Sequence, residues 1–102
     1  MQHDVFLNPG HRFRGGFPYV VELQANVAEG NDRIVAPLVL TGGRSGRVDR
    51  LMPLVRLEGA DYFLAIPLLG RLPRNRLRHP VGTIRAYRDD IVRAIDWLFT
   101  GI

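Results

Sequence analysis

The chain has 102 residues, a formal net charge of +4, 46% hydrophobic residues and 24% charged residues. These values suit one globular core and exclude an intrinsically disordered chain, so we expect a single domain over residues 1–102. The absence of cysteine excludes disulfides, thiolate metal sites and a cysteine nucleophile. No apolar run reaches the ~20 residues of a membrane helix, and the N-terminus lacks the features of a secretion signal. We therefore expect a cytoplasmic protein without membrane contact.

The positive charge comes entirely from 14 arginines. A guanidinium group stays protonated and binds carboxylates or phosphates through two parallel hydrogen bonds, which favours acidic partners. The alternative explanation is a GC-rich genome, whose codons favour arginine, alanine, glycine and proline. The net charge of +4 is a modest excess, and it favours this compositional explanation.

The first half of the chain predicts strands. "DVFL" is a short apolar run, and a glycine- and proline-rich loop, "NPGHRFRGGFP", follows it. "YVVELQANV" alternates with a period of two, which places Tyr19, Val21, Leu23 and Ala25 on one face and a mostly polar set on the other. We expect a half-buried strand here.

The middle of the chain predicts three further strands. "RIVAPLVL" is rich in β-branched residues, and Pro37 within it indicates an edge strand, a bulge or an irregular ladder. After the loop "TGGRSGR", the segments "LMPLVRL" and "DYFLAIPLL" predict two strands joined by the short link "EGA". Four or five strands with short connections indicate an antiparallel sheet.

The C-terminal part changes to a helical period. "GRLPRNRLRHP" contains two prolines and predicts an ordered but irregular loop. A helical stripe follows it, formed by Ile91, Ala94, Ile95, Leu98 and Phe99. Asp89 is placed to pair with Arg93, and aspartates in the first turn suit the helix dipole. The predicted fold is a mainly β domain, an antiparallel sheet closed by one C-terminal helix.

Groups for catalysis or metal binding are scarce. The only serine, Ser45, lacks the spacing of a nucleophile elbow, and no lysine completes a phosphate-binding loop. His3, His11 and His79 are scattered, and we expect each to be a surface or a hydrogen-bonded structural histidine. The sequence therefore predicts no catalytic residue, no metal, no cofactor and no enzymatic activity.

The basic stretch has two interpretations. Its arginines, Arg71, Arg74, Arg76 and Arg78, fall within eight positions and could bind a phosphate backbone. No aromatic residue is interleaved with them for base stacking, so a solvated loop is favoured, followed by contact with an acidic protein. We expect no sequence-specific binding of nucleic acid.

Trp97 lies outside the apolar arc of the predicted helix, next to Arg93 and near Thr100. A large aromatic residue there either packs against a loop or contacts a partner, because aromatic residues and arginine are enriched in binding hot spots. The sequence leaves both alternatives open.

The C-terminal sequence "DDIVRAIDWLFTGI" resembles the final helix of the CcdB family of plasmid and chromosomal toxins, in which a pattern like "NDIxxAIxxxFWGI" closes the chain. The matching features are an aspartate, Ile91, Ala94, Ile95, Phe99 and the final Gly101 and Ile102. Weaker similarity continues through "RIVAPLV", "MPLVRLEGADYFLAIPLL" and "HPVGTI". The resemblance therefore covers nearly the whole chain.

This resemblance implies a homodimer of small SH3-barrel-like β domains, each with a C-terminal helix. Members of the family bind the A subunit of DNA gyrase and trap its cleaved complex with DNA, and their last three residues, near the dimer axis, make the contact. The corresponding gyrase-binding residues here are Thr100, Gly101 and Ile102, of which Thr100 replaces the tryptophan of the family. Trp97, one helical turn earlier, is the candidate that could supply the missing ring.

The resemblance also implies neutralisation by a CcdA-like antitoxin, whose disordered acidic segment folds on the toxin. A basic toxin suits this partner, and the candidate antitoxin-binding residues are Arg44, Arg47, Arg74 and Arg76. Two alternatives remain open. One is a member that binds antitoxin without poisoning gyrase, which Thr100 suggests, and the other is an endoribonuclease toxin of the same barrel architecture.

Overall fold

The computed structural model of the chain describes residues 2–9, 17–24, 32–42 and 50–100. Within these residues there are seven strands and one α-helix. The strands are β1 (Asp4–Leu7), β2 (Tyr19–Gln24), β3 (Asp32–Leu40), β4 (Leu54–Leu57), β5 (Ala60–Leu64), β6 (Gly70–Pro73) and β7 (Gly82–Thr83). Short 3-10 helices lie at Ile66–Leu68, Arg74–Arg76 and Arg85–Tyr87, and the helix α1 is Arg88–Thr100.

The strands form one antiparallel sheet in the order β4-β5-β3-β2-β1-β7, and β6 pairs with β3 beside β5. Because β3 has three neighbours, the sheet is nearly closed and barrel-like, with α1 packed on it. The predicted fold, a mainly β domain with an antiparallel sheet and one C-terminal helix, is confirmed for the described part of the chain.

Pro37 lies in the middle of β3, opposite Val20 of β2. On its other side β3 pairs with β6 as far as Val35 and with β5 from Leu38 onward. The Pro37 carbonyl accepts a hydrogen bond from the Ala65 amide at 2.9 Å on that same side. Since the nitrogen and the carbonyl of one strand residue point the same way, the missing N–H of proline falls where β3 changes partner. An irregular ladder is therefore confirmed, and an edge position is wrong.

The β4–β5 hairpin confirms the link that the sequence predicts. Leu57 pairs with Ala60, so only Glu58 and Gly59 form the loop. Both have positive φ angles, 50° and 81°, as a two-residue loop of the type I′ family requires. Gly59 adopts this conformation without steric cost, whereas Glu58 bears some strain.

Two boundaries differ from the prediction. The segment "DYFLAIPLL" is a strand only to Leu64, because Pro67 lies in the 3-10 helix Ile66–Leu68 that follows. The basic stretch is not simply a loop, because its start forms β6 against the first half of β3, with Gly70 opposite Val35. The ion pair between Arg71 Nη2 and Asp32 Oδ2, 3.0 Å apart, supports this pairing. The basic stretch starts as a strand because β3 is long enough to pair with it, and the local sequence pattern gives no sign of this pairing.

β2 is buried on both faces as far as Leu23, so the prediction of a half-buried strand is wrong for it. Val21 and Leu23 belong to the main core under α1, whereas Val20 belongs to a second cluster on the opposite face. The other buried members of that cluster are Phe6, Val35 and Leu77. Glu22 is only 4% exposed, and its carboxylate lies 3.9 Å from the Arg33 guanidinium, which offsets part of the cost of burying a charge. Ala25 lies outside the described residues.

His3 is a buried structural residue that ties β1 to the chain before α1. It is 2% exposed, its φ angle is 70°, and its amide donates to the Glu22 carbonyl at 2.6 Å. Its own carbonyl accepts from the Ile84 amide at 2.9 Å and from the Thr83 hydroxyl at 3.2 Å. Burial, followed by the positive charges of Arg88 and Arg85, lowers the pKa of the His3 imidazole, and Asp4 opposes this shift. His79 is exposed, and His11 lies outside the described residues.

Candidate functional site

The helix α1 is fixed by the first residues of its apolar stripe. Ile91 and Ala94 are 0% and 1% exposed in the main core, and Ile95 and Leu98 are half-buried against it. Two aspartates occupy the first turn, where negative charge interacts favourably with the helix dipole. The predicted helix is therefore confirmed, with its stripe facing the sheet over its first turns.

Phe99 departs from this pattern, since it is 74% exposed. It lines an open groove of about 400 Å³ between the end of α1 and the sheet. The other lining residues are Gln2, Leu23, Gln24, Ile34, Leu69 and Ile95. Burial declines along the stripe from Ile91 through Ile95 to Phe99, because the last turn reaches the border of the core. The apolar stripe that the sequence predicts therefore continues beyond the residues that the sheet covers.

The ion pair on α1 uses a different aspartate from the predicted one. Nη1 of Arg93 lies 3.2 Å from Oδ1 of Asp90, three residues earlier, and both side chains are more than half exposed. The expected pairing of Asp89 with Arg93 is therefore wrong. Asp90 and Arg93 lie on the same side of the helix, where both line the groove that also contains Trp97.

Trp97 is half-buried and lies against the segment that precedes β4. The guanidinium carbon of Arg50 lies 4.4 Å from the centroid of its ring, which is a cation–π contact. The two residues line a groove of about 450 Å³ between α1 and this segment. Its other lining residues are Pro53, Leu54, Asp90, Arg93 and Ala94. The structure thus gives Trp97 a packing partner and leaves part of its surface accessible.

Arg50 is a residue that the sequence did not single out. It is one of 14 arginines, and 47 positions separate it from Trp97, so no local spacing links the two. Only the pairing of β4 with β5 and the packing of α1 bring this segment and the helix together. Nothing in the sequence pattern could have identified the contact.

Thr100 is the last residue of α1 and is exposed. Its hydroxyl donates to the Asp96 carbonyl at 2.7 Å, so the side chain folds back onto the preceding turn. Gly101 and Ile102, the other two predicted gyrase-binding residues, lie outside the described residues. Among the residues that can be placed, Trp97 and Thr100 are on one helix but in different surroundings.

The candidate antitoxin-binding arginines are only partly described. Arg74 and Arg76 are exposed on the 3-10 helix that follows β6, and Arg76 Nη2 donates to the Pro9 carbonyl at 3.4 Å. Leu77, directly after them, packs in the cluster on the sheet face opposite α1. The 3-10 helix Arg74–Arg76 and α1 therefore lie on opposite faces of the sheet. Arg44 and Arg47, like Ser45, lie outside the described residues.

Among the described residues, no three His, Asp or Glu side chains lie close enough together to hold a metal ion. In the same residues no helix is long and apolar enough to cross a membrane. The described part of α1 thus has a buried first half, a groove along one side and an exposed last turn.

A barrel-like antiparallel sheet closed by a C-terminal helix with an exposed end defines a class of small β domains. The family model described as CcdB protein matches residues 2–101. The chain belongs to the CcdB family, which places it among the toxins of toxin–antitoxin systems. No curated protein matches the chain.

Proposed function

We propose that this protein is the toxin of a type II toxin–antitoxin system that binds the A subunit of DNA gyrase and holds the gyrase–DNA complex in its cleaved state. The observation that carries the proposal is the family match over residues 2–101. The mechanism is protein binding in the cytoplasm, where gyrase acts, and the toxin itself makes or breaks no bond.

The end of α1 is the proposed gyrase contact. Ile91 and Ala94 anchor the helix in the core, so a rigid element presents the last turn at little cost in conformational entropy. Gly101 and Ile102 follow directly and supply a close backbone approach and an apolar side chain. Thr100 offers a hydroxyl where the resembling family has an indole ring.

Trp97 compensates for that missing ring in our proposal. It lies one turn before Thr100, about 4.5 Å along the helix axis, and part of its surface is accessible beside Arg50. The indole then contacts gyrase from the side of the helix, while Gly101 and Ile102 contact it from the end. The ring therefore lies one helical turn before the position that the tryptophan of the resembling family occupies.

We also propose a homodimer in which a second copy covers the groove beside Phe99. The exposed Phe99 ring, with Ile95, Ile34 and Leu69 in the same groove, forms an apolar surface that favours association in water. The resemblance implies a dimer axis near the helix end, and this groove lies there. The second copy then brings two helix ends to one side of the dimer.

The proposed neutralising partner is an acidic antitoxin. The net charge of +4 favours its association, and the exposed Arg74 and Arg76 are available for carboxylates on the sheet face opposite α1. Arg44 and Arg47 complete the set that we propose.

The test is DNA cleavage by purified gyrase with supercoiled plasmid, ATP and this protein. We expect linear DNA to accumulate with the full chain and to disappear with a variant lacking Gly101 and Ile102. Arg88→Gln is the matched control, because Arg88 is exposed on the side of α1 away from Trp97. With this variant, gyrase should produce as much linear DNA as with the natural chain. If a folded full-length protein produces no linear DNA, the gyrase proposal is wrong.

A Trp97→Ala variant tests the role of the ring in the same assay. We expect it to stay folded and to lose most of the cleavage, and full activity would contradict the compensation by Trp97. Thr100 favours a second candidate function, a CcdB-like protein that binds its antitoxin without poisoning gyrase. Antitoxin binding combined with no cleavage would establish this second candidate.

A further inference from the structure

The groove between α1 and the segment before β4 has an apolar floor and a positive rim. Its floor is formed by Pro53, Leu54 and Ala94, and Trp97 forms one wall. Arg50 and Arg93 carry the positive charges, and Asp90 is the single carboxylate among the lining residues. The volume, about 450 Å³, accommodates one or two side chains of another protein.

Arg50 is stacked on Trp97, and among the described residues its guanidinium forms no hydrogen bond. One face of its guanidinium lies on the Trp97 ring at 4.4 Å, which leaves the N–H donors around the edge of the plane. Within the described residues, no carboxylate lies at ion-pair distance from Arg50. A stacked guanidinium is already ordered, so a two-point bond to a carboxylate costs less conformational entropy than it does for a free arginine.

Arg93 provides a second, exchangeable contact. Its ion pair with Asp90 is 3.2 Å long and more than half exposed, so it contributes little to stability. An incoming carboxylate can share the Arg93 guanidinium with Asp90, because arginine carries five donors. Arg50 and Arg93 thus line the same groove as the apolar residues Pro53, Leu54 and Ala94.

We propose that this groove binds an acidic peptide segment of a protein partner. A carboxylate of the segment forms a bidentate bond with Arg50, a second carboxylate reaches Arg93, and an apolar side chain between them packs on Pro53, Leu54 and Ala94. The proposal rests on the proposed function, since the antitoxin is the acidic partner which that function supplies. It adds a site distinct from Arg74 and Arg76.

Protein chemistry fits this groove better than nucleic-acid chemistry. The one aromatic ring in the groove is stacked against Arg50, so a base must displace the guanidinium to stack there. An isolated apolar floor between two guanidinium groups suits a side chain flanked by carboxylates.

Occupancy of this groove has a consequence for the toxin. Trp97 lines this groove, and in the proposed function the same residue contacts gyrase. A segment bound in the groove covers the indole, so antitoxin and gyrase compete for one side chain. Neutralisation then needs no change in the shape of the toxin.

Trp97 is the only tryptophan, so its fluorescence reports on this groove alone. The probe is a synthetic 14-residue peptide of alternating acidic residues and leucine, without aromatic residues and with a fluorescein label. Binding is measured by anisotropy with the labelled peptide, and the unlabelled peptide is used to follow the Trp97 emission. We expect saturable binding that changes this emission.

Three variants of the full chain distinguish the groove from general charge. Arg50→Gln should weaken peptide binding at least tenfold. Arg50→Lys keeps the charge and loses the bidentate geometry, so its affinity for the peptide should lie between those of Arg50→Gln and the natural chain. Arg88→Gln removes the same charge from the other side of α1 and should change the affinity less than twofold. Far-UV circular dichroism checks that each variant is folded.

Three results would overturn the proposal. The first is equal affinity of Arg50→Gln and Arg88→Gln for the peptide, and the second is peptide binding that leaves the Trp97 emission unchanged. The third is an Arg50-dependent affinity for a 14-nucleotide single strand that exceeds the affinity for the peptide. Because no gyrase is present, a negative cleavage assay leaves this test intact, and a negative binding assay leaves the gyrase proposal intact.

Discussion

The first turns of α1 and its last turn carry the same apolar stripe but serve different purposes. Ile91 and Ala94 are fully buried and hold the helix to the sheet, whereas Phe99 is 74% exposed beside an open groove. The period of the pattern cannot separate the two, because only the extent of the sheet beneath the helix decides which residues are covered. A stripe of this kind therefore contains both buried core residues and an exposed apolar residue, and the exposed residue is the one that we propose for association.

The largest expected effect is on the buried half of the helix. Ile91→Ala removes a side chain that is 0% exposed and leaves a cavity in the main core, so the free energy of unfolding should fall by about 2–5 kcal/mol. Urea denaturation followed by circular dichroism measures it. Val92→Ala, at a neighbouring position that is 39% exposed, is the control and should change stability by less than about 0.5 kcal/mol. Equal losses of stability in the two variants would mean that Ile91 does not anchor the helix.

A smaller effect concerns the contact between β1 and the chain that leads into α1. Since the pKa of His3 is lowered from 6.5, the unfolded chain binds a proton there at a higher pH than the folded protein does. The stability that depends on neutral His3 is present above pH 6.5 and is lost as the pH falls through the folded pKa.

The control for this effect is a variant that does not titrate at position 3. His3→Asn tolerates the positive φ angle and should flatten the dependence of the urea midpoint on pH between about 7.5 and 5. His79→Asn changes an exposed histidine and should keep the slope of the natural chain. Parallel pH profiles for His3→Asn and the natural chain would contradict the assignment.

A still smaller effect on stability is expected at the two aspartates in the first turn of α1. Asp89→Asn and Asp90→Asn both remove a charge that interacts with the helix dipole, but only Asp90 pairs with Arg93. The Asp90 variant should therefore be less stable than the Asp89 variant, by about 0.2–0.5 kcal/mol at low salt. The difference should vanish near 1 M salt, and a reversed order would mean that Asp89 forms the pair in solution.

The smallest effect on stability is expected at the exposed end, together with a large effect on association. Phe99→Ser should change the free energy of unfolding of the monomer by less than about 0.5 kcal/mol, because its ring is mostly in water. Sedimentation equilibrium should show the natural chain at twice its 11.5 kDa mass and the variant as a monomer. Val92→Ser is the matched control and should stay dimeric. A dimeric Phe99→Ser would place the interface elsewhere.

Features encoded within a few residues could be predicted from the sequence. The helix with its buried Ile91 and Ala94, and the hairpin at Glu58 and Gly59, depend on local periodicity and turn chemistry, and both are confirmed. The burial of Glu22 could not be predicted, because it depends on packing against other strands, among them β3, which carries its ion-pair partner Arg33.

In the candidate site, too, the local features could be predicted from the sequence and the contacts between distant segments could not. Trp97 stood out because it breaks the helical stripe, and its position on α1 is as expected. Its partner Arg50 could not be predicted, since the contact arises only when β4 and α1 pack together. The sequence predicts an irregularity at Pro37, but the two strands that meet there, β5 and β6, lie further along the chain and could not be identified from the local pattern.

The pairing of β1 with β7 bears on when a ribosome-bound chain becomes toxic. The hydrogen bond from Thr83 to the His3 carbonyl joins residues 80 positions apart, so β1 leaves the ribosome long before its partner exists. Until β7 and the core residues of α1 follow, the sheet stays open and no helix end is presented. Under the proposed function, a nascent chain therefore cannot poison gyrase through most of its synthesis, which gives the proposed antitoxin time to bind each toxin as it folds.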